Sequence, residues 1–217
     1  MNLPTKITVS RIIAIVFMII ALFVLSIVKE VNPSFQTIVF GNSGINLVFF
    51  ILFVFFLLAS YTDHLDGHLA RKNNQVTALG KFLDPVADKL LINSMVIFLT
   101  APAIFASYIP GAEKVAHFSV WCAIILVARD IVVDALRFIA AEKGVVIAAN
   151  IFGKMKTVLE MVAISLVLVN GWPFVYFDAE WRVRIVDIFV YLATLVSVIS
   201  GVIYVYQNRH VLQEKKD

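Results

Sequence analysis

Charge is gathered into a few short clusters along this chain, and long apolar runs separate them. That distribution limits the fold more than any single motif. Asp, Glu, Lys and Arg together make up only 15% of the 217 residues, while 61% are hydrophobic. Soluble domains are about 45–50% apolar and spread their charge over a wetted surface. A helix that crosses a bilayer needs roughly 20 mostly apolar residues. Six stretches approach or exceed that length: 7–28, 46–62, 85–108, 118–140, 155–170 and 183–206. The second and fifth are short and are expected to extend into their polar flanks. The expected fold is therefore an all-α integral membrane protein, a bundle of six transmembrane helices forming one domain over residues 1–217. No internal repeat is visible. The apolar run 12–28 is followed by Lys29-Glu30-Val31-Asn32-Pro33 and not by a small-residue cleavage site, so it is read as a retained first helix.

The basic residues give the orientation. With the N-terminus in the cytoplasm, the inner segments hold Lys6, Arg11, Arg71, Lys72, Lys81, Lys89, Arg137, Lys143, Lys154, Lys156, Arg209, Lys215 and Lys216. The outer segments hold Lys29, Lys114, Arg182 and Arg184. Positive charge accumulates on the cytoplasmic side of membrane proteins, so both termini are expected there. The same pattern accounts for the basic pI without nucleic acid as a partner. Trp172, Tyr176 and Trp181 read as an aromatic belt at the outer interface. The single cysteine, Cys122, lies in an apolar run and is expected to be an inert buried thiol.

The acidic residues are concentrated where the second span ends and the third begins. Asp63 and Asp66 are three apart, and Asp84 and Asp88 are four apart. On a helix each pair shares a face. Two antiparallel helices joined by a short cytoplasmic connection would bring the pairs together. Four converging carboxylates repel one another unless cations hold them, and oxygen donors suit hard divalent ions, Mg²⁺ or Mn²⁺ above all. Two such ions about 3.5–4 Å apart can clamp both oxygens of a phosphoryl displacement. Gly67, one turn beyond Asp63, and Gly80, one turn before Asp84, leave room for a phosphate group. Arg71 adds a permanently charged fork suited to a diphosphate. The plainer alternative makes Asp84, ahead of Pro85, an N-cap of the third helix. His64 and His68, four apart, invite a zinc reading, but the surrounding carboxylates favour harder ions.

The pattern Asp63-x2-Asp66-Gly67-x2-Ala70-Arg71-x8-Gly80-x3-Asp84-x3-Asp88 resembles the signature of the CDP-alcohol phosphatidyltransferases, with every specified position filled. Asn2-Leu3-Pro4, Thr8, Arg11, Ala128-Arg129-Asp130, Leu136-Arg137 and Gly153-Lys154-Met155-Lys156-Thr157 look like the bacterial branch of that family that uses glycerol 3-phosphate. The resemblance implies six transmembrane helices, a homodimer, and two divalent cations between the second and third helices. It makes Asp63, Asp66 and Asp84 metal ligands, and Asp88 both a metal ligand and the general base. Gly67, Ala70, Arg71 and Gly80 would shape the CDP-lipid site. The implied reaction is attack by an acceptor hydroxyl on the lipid-side phosphorus of CDP-diacylglycerol, with CMP leaving. The implied setting is the bacterial plasma membrane, with the active site facing the cytoplasm.

The acceptor is read from cations further along. Arg129 lies within an apolar segment, where an ionised group is costly and usually functional. Arg137 follows two turns later, and Lys154 and Lys156 open the fifth span. These four are expected to bind the phosphate of glycerol 3-phosphate through charge-assisted contacts. A competing reading makes Arg129, Asp130, Asp134 and Arg137 a salt-bridge network that orders the helices. Other acceptors within the family (in a cardiolipin synthase or an inositol-phosphate transferase) are the nearest alternatives. An intramembrane prenyltransferase normally has two separated aspartate motifs, and a divalent-cation transporter usually places its ligands at the bilayer midplane.

Overall fold

A computed structural model of the chain describes residues 2–32, 39–40, 45–72, 78–101, 115–145, 147, 151–176 and 179–209. Six α-helices dominate them: α1 (Leu3–Val31), α2 (Leu47–Lys72), α3 (Ala78–Phe98), α4 (Val120–Glu142), α5 (Ile151–Leu168) and α6 (Ala179–Gln207). A two-residue antiparallel pair, β1 (Val39–Phe40) with β2 (Ile45–Asn46), joins α1 to α2. A 3₁₀ turn, Phe174–Tyr176, precedes α6.

Each helix grows out of one of the six apolar stretches, but the ends differ in ways that matter for the site. The second stretch extends far into its polar flank, so one continuous helix carries the chain from Leu47 through the whole Asp63–Arg71 segment. The third helix starts at Ala78, ahead of Pro85, and Pro85 lies inside it. Asp84 is thus within a helix and does not cap one. That helix stops at Phe98 and not at 108, closing with a turn in which Thr100 N–H donates to the Ile97 carbonyl at 3.1 Å. Pro102 follows in sequence, and the residue before a proline is disfavoured in a helix. The fifth helix begins at Ile151, so Gly153 and Lys154 are helical residues.

Packing divides the bundle into two halves. Helix α1 packs on α2 and α3, while α6 packs on α5 and α4; thinner contacts of α2 with α5, and of α3 with α4 and α5, join them. Phe49, Phe56, Met95, Leu99, Phe118, Leu126, Ile164 and Leu168 are fully buried. Large apolar side chains also cover the outside: Phe17, Phe23, Trp121, Phe138, Ile188 and Val202 are each more than half exposed. An apolar patch of that extent suits a lipid environment. Among the described residues, Thr5–Val31 and Trp181–Gln207 are long and apolar enough to cross a membrane, and Leu47–Asp63 is a shorter apolar helix. Charges interrupt the other helices: Asp84, Asp88 and Lys89 on α3, Arg129 to Arg137 on α4, Lys154 to Glu160 on α5.

Candidate active site

The seam between the two halves opens into a cavity of about 390 Å³. One wall is acidic. Helix α2 contributes Asp63, and α3 contributes Asp84 and Asp88, one helical turn apart. The opposite wall is basic, with Arg129 and Arg137 from α4 and Lys154 from α5. Lys89, Asp134, Gly153, Thr157 and Tyr204 complete the lining.

Helix α1 braces the acidic wall. The Arg11 guanidinium is buried and forms an ion pair with Asp63, whose carboxylate stays partly open. Thr8, one turn earlier on the same helix, donates its hydroxyl to Asp84 at 2.9 Å. Asp88 is half-buried and accepts no hydrogen bond among the described residues. A carboxylate so placed is available to take a proton.

The basic wall is tied to α6. Arg137 Nε donates to the Tyr204 hydroxyl at 2.9 Å, and its guanidinium lies over that ring at 5.4 Å. Asp134 is 4.0 Å from Arg137, so the (i, i+3) pairing expected of a salt-bridge network forms at its outer limit. Arg129 donates to Ser200 Oγ at 2.7 Å and to Asp130 at 3.1 Å. Lys154 is exposed and makes no ion pair among the described residues.

Seven of the sequence-derived site residues can therefore be located by side chain or backbone around this seam: Asp63, Asp84, Asp88, Arg129, Arg137 and Lys154 on the cavity wall, and Gly80 on α3 one turn before Asp84. Lys156 stands apart. It is only 2% exposed and is absent from the cavity wall. Its ammonium contacts both Asp130 oxygens at 3.0 Å and Glu160 at 2.5 Å. Two residues of helical offset separate it from Lys154, which turns the two ammonium groups to different sides of α5. Asp66, Gly67, Ala70 and Arg71 continue α2, and their side chains lie outside the described residues, as do those of His64 and His68.

The donor chemistry fits a hard divalent cation: three carboxylates on two helices face one cavity, with oxygen as the donor atom throughout. Among the described residues, no three acidic, imidazole or thiol side chains converge on a single point. Asp63 and Asp84 are instead engaged by Arg11 and Thr8.

Several residues at or behind the site were not singled out for it by the sequence. Thr8 and Arg11 sit in an apolar helix far from the aspartates in sequence, and an arginine in such a run is the signal that marks them. Glu160, fully buried in α5, carries the same signal. Ser200 and Tyr204 carry none, because hydroxyls on a membrane helix are ordinary, while Lys89, mid-helix in α3, was read only as one of the inner-side basic residues.

Comparison with known proteins gives a consistent picture. The sequence model of the CDP-alcohol phosphatidyltransferase family matches residues 1–203. A CDP-diacylglycerol–glycerol-3-phosphate 3-phosphatidyltransferase of Bacillus subtilis (strain 168) is 34% identical over 217 residues, covering 98% of this chain and 97% of that protein. A protein of the same name from Mycoplasma pneumoniae is 38% identical over 224 residues, covering 99% and 90%. One from Rickettsia bellii is 31% identical over 205 residues, covering 94% and 93%. With the family model matching residues 1–203, and three of the motif aspartates, Asp63, Asp84 and Asp88, on one cavity wall, the chain belongs to the CDP-alcohol phosphatidyltransferase family.

Proposed function

We propose that this protein transfers the phosphatidyl group of CDP-diacylglycerol to glycerol 3-phosphate, giving phosphatidylglycerophosphate and CMP. The observation that carries this reading is the two-walled cavity, acidic on α2 and α3 and basic on α4 and α5. A diphosphate-bearing donor needs divalent cations on carboxylates; a phosphate-bearing acceptor needs fixed cations opposite. The names of the relatives point to the same acceptor. A serine, choline or ethanolamine acceptor has no phosphate for the basic wall to bind.

In this reading Asp63, Asp66, Asp84 and Asp88 hold two Mg²⁺ or Mn²⁺ ions, which supply charge neutralisation to the diphosphate. Gly67, Ala70, Arg71 and Gly80 shape the CDP-lipid site. Arg129, Arg137 and Lys154 hold the acceptor phosphate, so that its hydroxyl is presented to the acidic wall. Asp88 takes the hydroxyl proton as the oxygen attacks the lipid-side phosphorus. The new P–O bond forms, the diphosphate bridge breaks, and CMP leaves. Holding both reactants in one cavity supplies much of the rate, since orientation converts a two-body encounter into a one-body step. Lys156 supports the basic wall from behind.

The six helices are taken as six spans of one domain in a bacterial plasma membrane, both termini and the cavity facing the cytoplasm. The support is the apolar exterior together with the distribution of basic residues. The active form is taken to be a homodimer, as the family resemblance implies.

The test uses purified protein in detergent with CDP-diacylglycerol, Mg²⁺ or Mn²⁺, and a panel of acceptors, with CMP release as the signal. Turnover with glycerol 3-phosphate, abolished by chelation, is the expected result. Preference for phosphatidylglycerol or inositol phosphate would reject the acceptor and keep the reaction class.

A further inference from the structure

Behind the basic wall lies a buried charge cluster that no step above uses directly. Asp130, on α4, is 2% exposed and does not line the cavity. Three cations from three helices converge on its two oxygens. Lys89 Nζ, from α3, donates to Oδ2 at 2.7 Å. Arg129, its neighbour on α4, donates to Oδ1 at 3.1 Å. Lys156 Nζ, from α5, reaches both oxygens at 3.0 Å. Lys156 is also paired with Glu160, one turn on, at 2.5 Å.

We propose that Asp130 is a positioning residue for recognition of the acceptor phosphate, holding Lys89 and Arg129 so that their charge faces the cavity. This rests on the acceptor reading given above. The charge balance supports it. With both carboxylates ionised, three cations meet two anions, and Lys156, enclosed between Asp130 and Glu160, does not reach the cavity. The surplus positive charge therefore belongs to Lys89 and Arg129, the two members that line the cavity. Their side chains keep 29% and 12% exposure, against 3% for Lys156. A cluster that served only to order helices would have no need to leave its surplus charge beside an open cavity. Long lysine and arginine side chains lose much rotamer freedom on binding an anion. Asp130 meets that cost on folding, so the cations are pre-aimed when the acceptor arrives. Ser200 holds the other end of the Arg129 fork, at 2.7 Å, which restricts the guanidinium further.

The proposal separates binding of the acceptor from binding of the lipid, and that split is its test. Initial rates are measured for the full-length protein in detergent, varying glycerol 3-phosphate and CDP-diacylglycerol in turn. Asp130→Asn is nearly isosteric and leaves the Lys156–Glu160 pair intact. It is expected to raise KM for glycerol 3-phosphate about tenfold, the order of one weakened charge-assisted contact. KM for CDP-diacylglycerol should stay within about twofold, and kcat should fall less than the acceptor KM rises. Asp130→Glu keeps the charge on a longer arm and should recover part of the acceptor affinity. If Asp130→Asn does not fold, Asp130→Glu carries the test, with a severalfold rise confined to the acceptor KM. An equal rise in both KM values, or unchanged KM values in whichever variant folds, would overturn the proposal, even if thermal stability fell. The wild-type acceptor panel keeps the two readings distinguishable. A different phosphate-bearing acceptor removes only the glycerol 3-phosphate assignment, and the KM split is then read on that acceptor. An acceptor without a phosphate overturns both.

Discussion

Asp88 and the two lysines of α5 show how position decides what a charged side chain can do. Asp88 faces the cavity without a hydrogen bond among the described residues, whereas Asp63 and Asp84 are held by Arg11 and Thr8. Replacing Asp88 by Asn removes the proton acceptor at nearly constant shape. Turnover should fall by about 10²–10⁴, the usual span for a lost general base, with the thermal midpoint in detergent little changed. Lys154 and Lys156 are two residues apart but belong to different environments. Lys154→Ala should raise KM for the acceptor phosphate severalfold and leave stability alone, because its ammonium is exposed at the cavity. Lys156→Met strands Asp130 and Glu160 in the interior. Breaking a buried pair in this way costs about 3–5 kcal/mol, which a thermal melt would register as a large drop. Equal melting temperatures for the two variants would contradict this division.

At the scale of the helix, α6 matters through what it lacks. Gly201 faces Arg129 so closely that a Cβ placed there would stand 3.0 Å from Arg129 Cγ. Gly153, on α5, faces the same arginine from another side, but its Cβ would meet Arg129 and Ser200 at the ordinary distances of 3.9 and 3.8 Å. Gly201→Val should therefore push the arginine off its hydrogen bonds and raise the acceptor KM about tenfold, consistent with the roughly 1–3 kcal/mol cost of overpacking. Gly153→Ala should be tolerated, and should raise the melting temperature slightly, because alanine is favoured over glycine in a helix by about 1 kcal/mol. A loss of activity in Gly153→Ala comparable to that in Gly201→Val would show that the arginine is not gripped as described. Helix α1 has a comparable hidden role. Its apolar length reads as a span, yet its first turns supply Thr8 and Arg11 to the aspartates.

For the molecule as a whole, the orientation proposed from the distribution of basic residues can be measured. Cys122 is 4% exposed, so the native thiol should resist a membrane-impermeant maleimide in folded protein. A cysteine introduced as Lys215→Cys in the basic C-terminal tail should react only after the cell membrane is permeabilised. Labelling in intact cells would reverse the orientation. Two halves meeting at the cavity also imply that occupancy by both substrates ties them together. Ligands that bind only the folded state raise apparent stability in proportion to their saturation.

The helical architecture was legible because apolar runs of about 20 residues leave a chain few alternatives to a membrane bundle. Three of the aspartates were legible as neighbours because their spacings put them on helix faces, and Asp63 of α2 does share a cavity wall with Asp84 and Asp88 of α3. Helix ends were legible in part: α2 runs into its polar flank, as its short apolar run required, but α3 begins ahead of Pro85, where Thr8 of α1 binds Asp84 in a segment that composition alone would end. The partners of each charge were not legible at all. Nothing local distinguishes Lys154 from Lys156, or marks Asp130 as the point where Lys89, Arg129 and Lys156 converge. Those pairings depend on the angles at which α3, α4 and α5 cross. The sequence by itself determined the family chemistry and the apolar, all-helical build; only the packing of the helices decided which cations face the cavity and which are spent inside the wall. Charge type is a property of a residue, while its availability depends on what the neighbouring helices place against it.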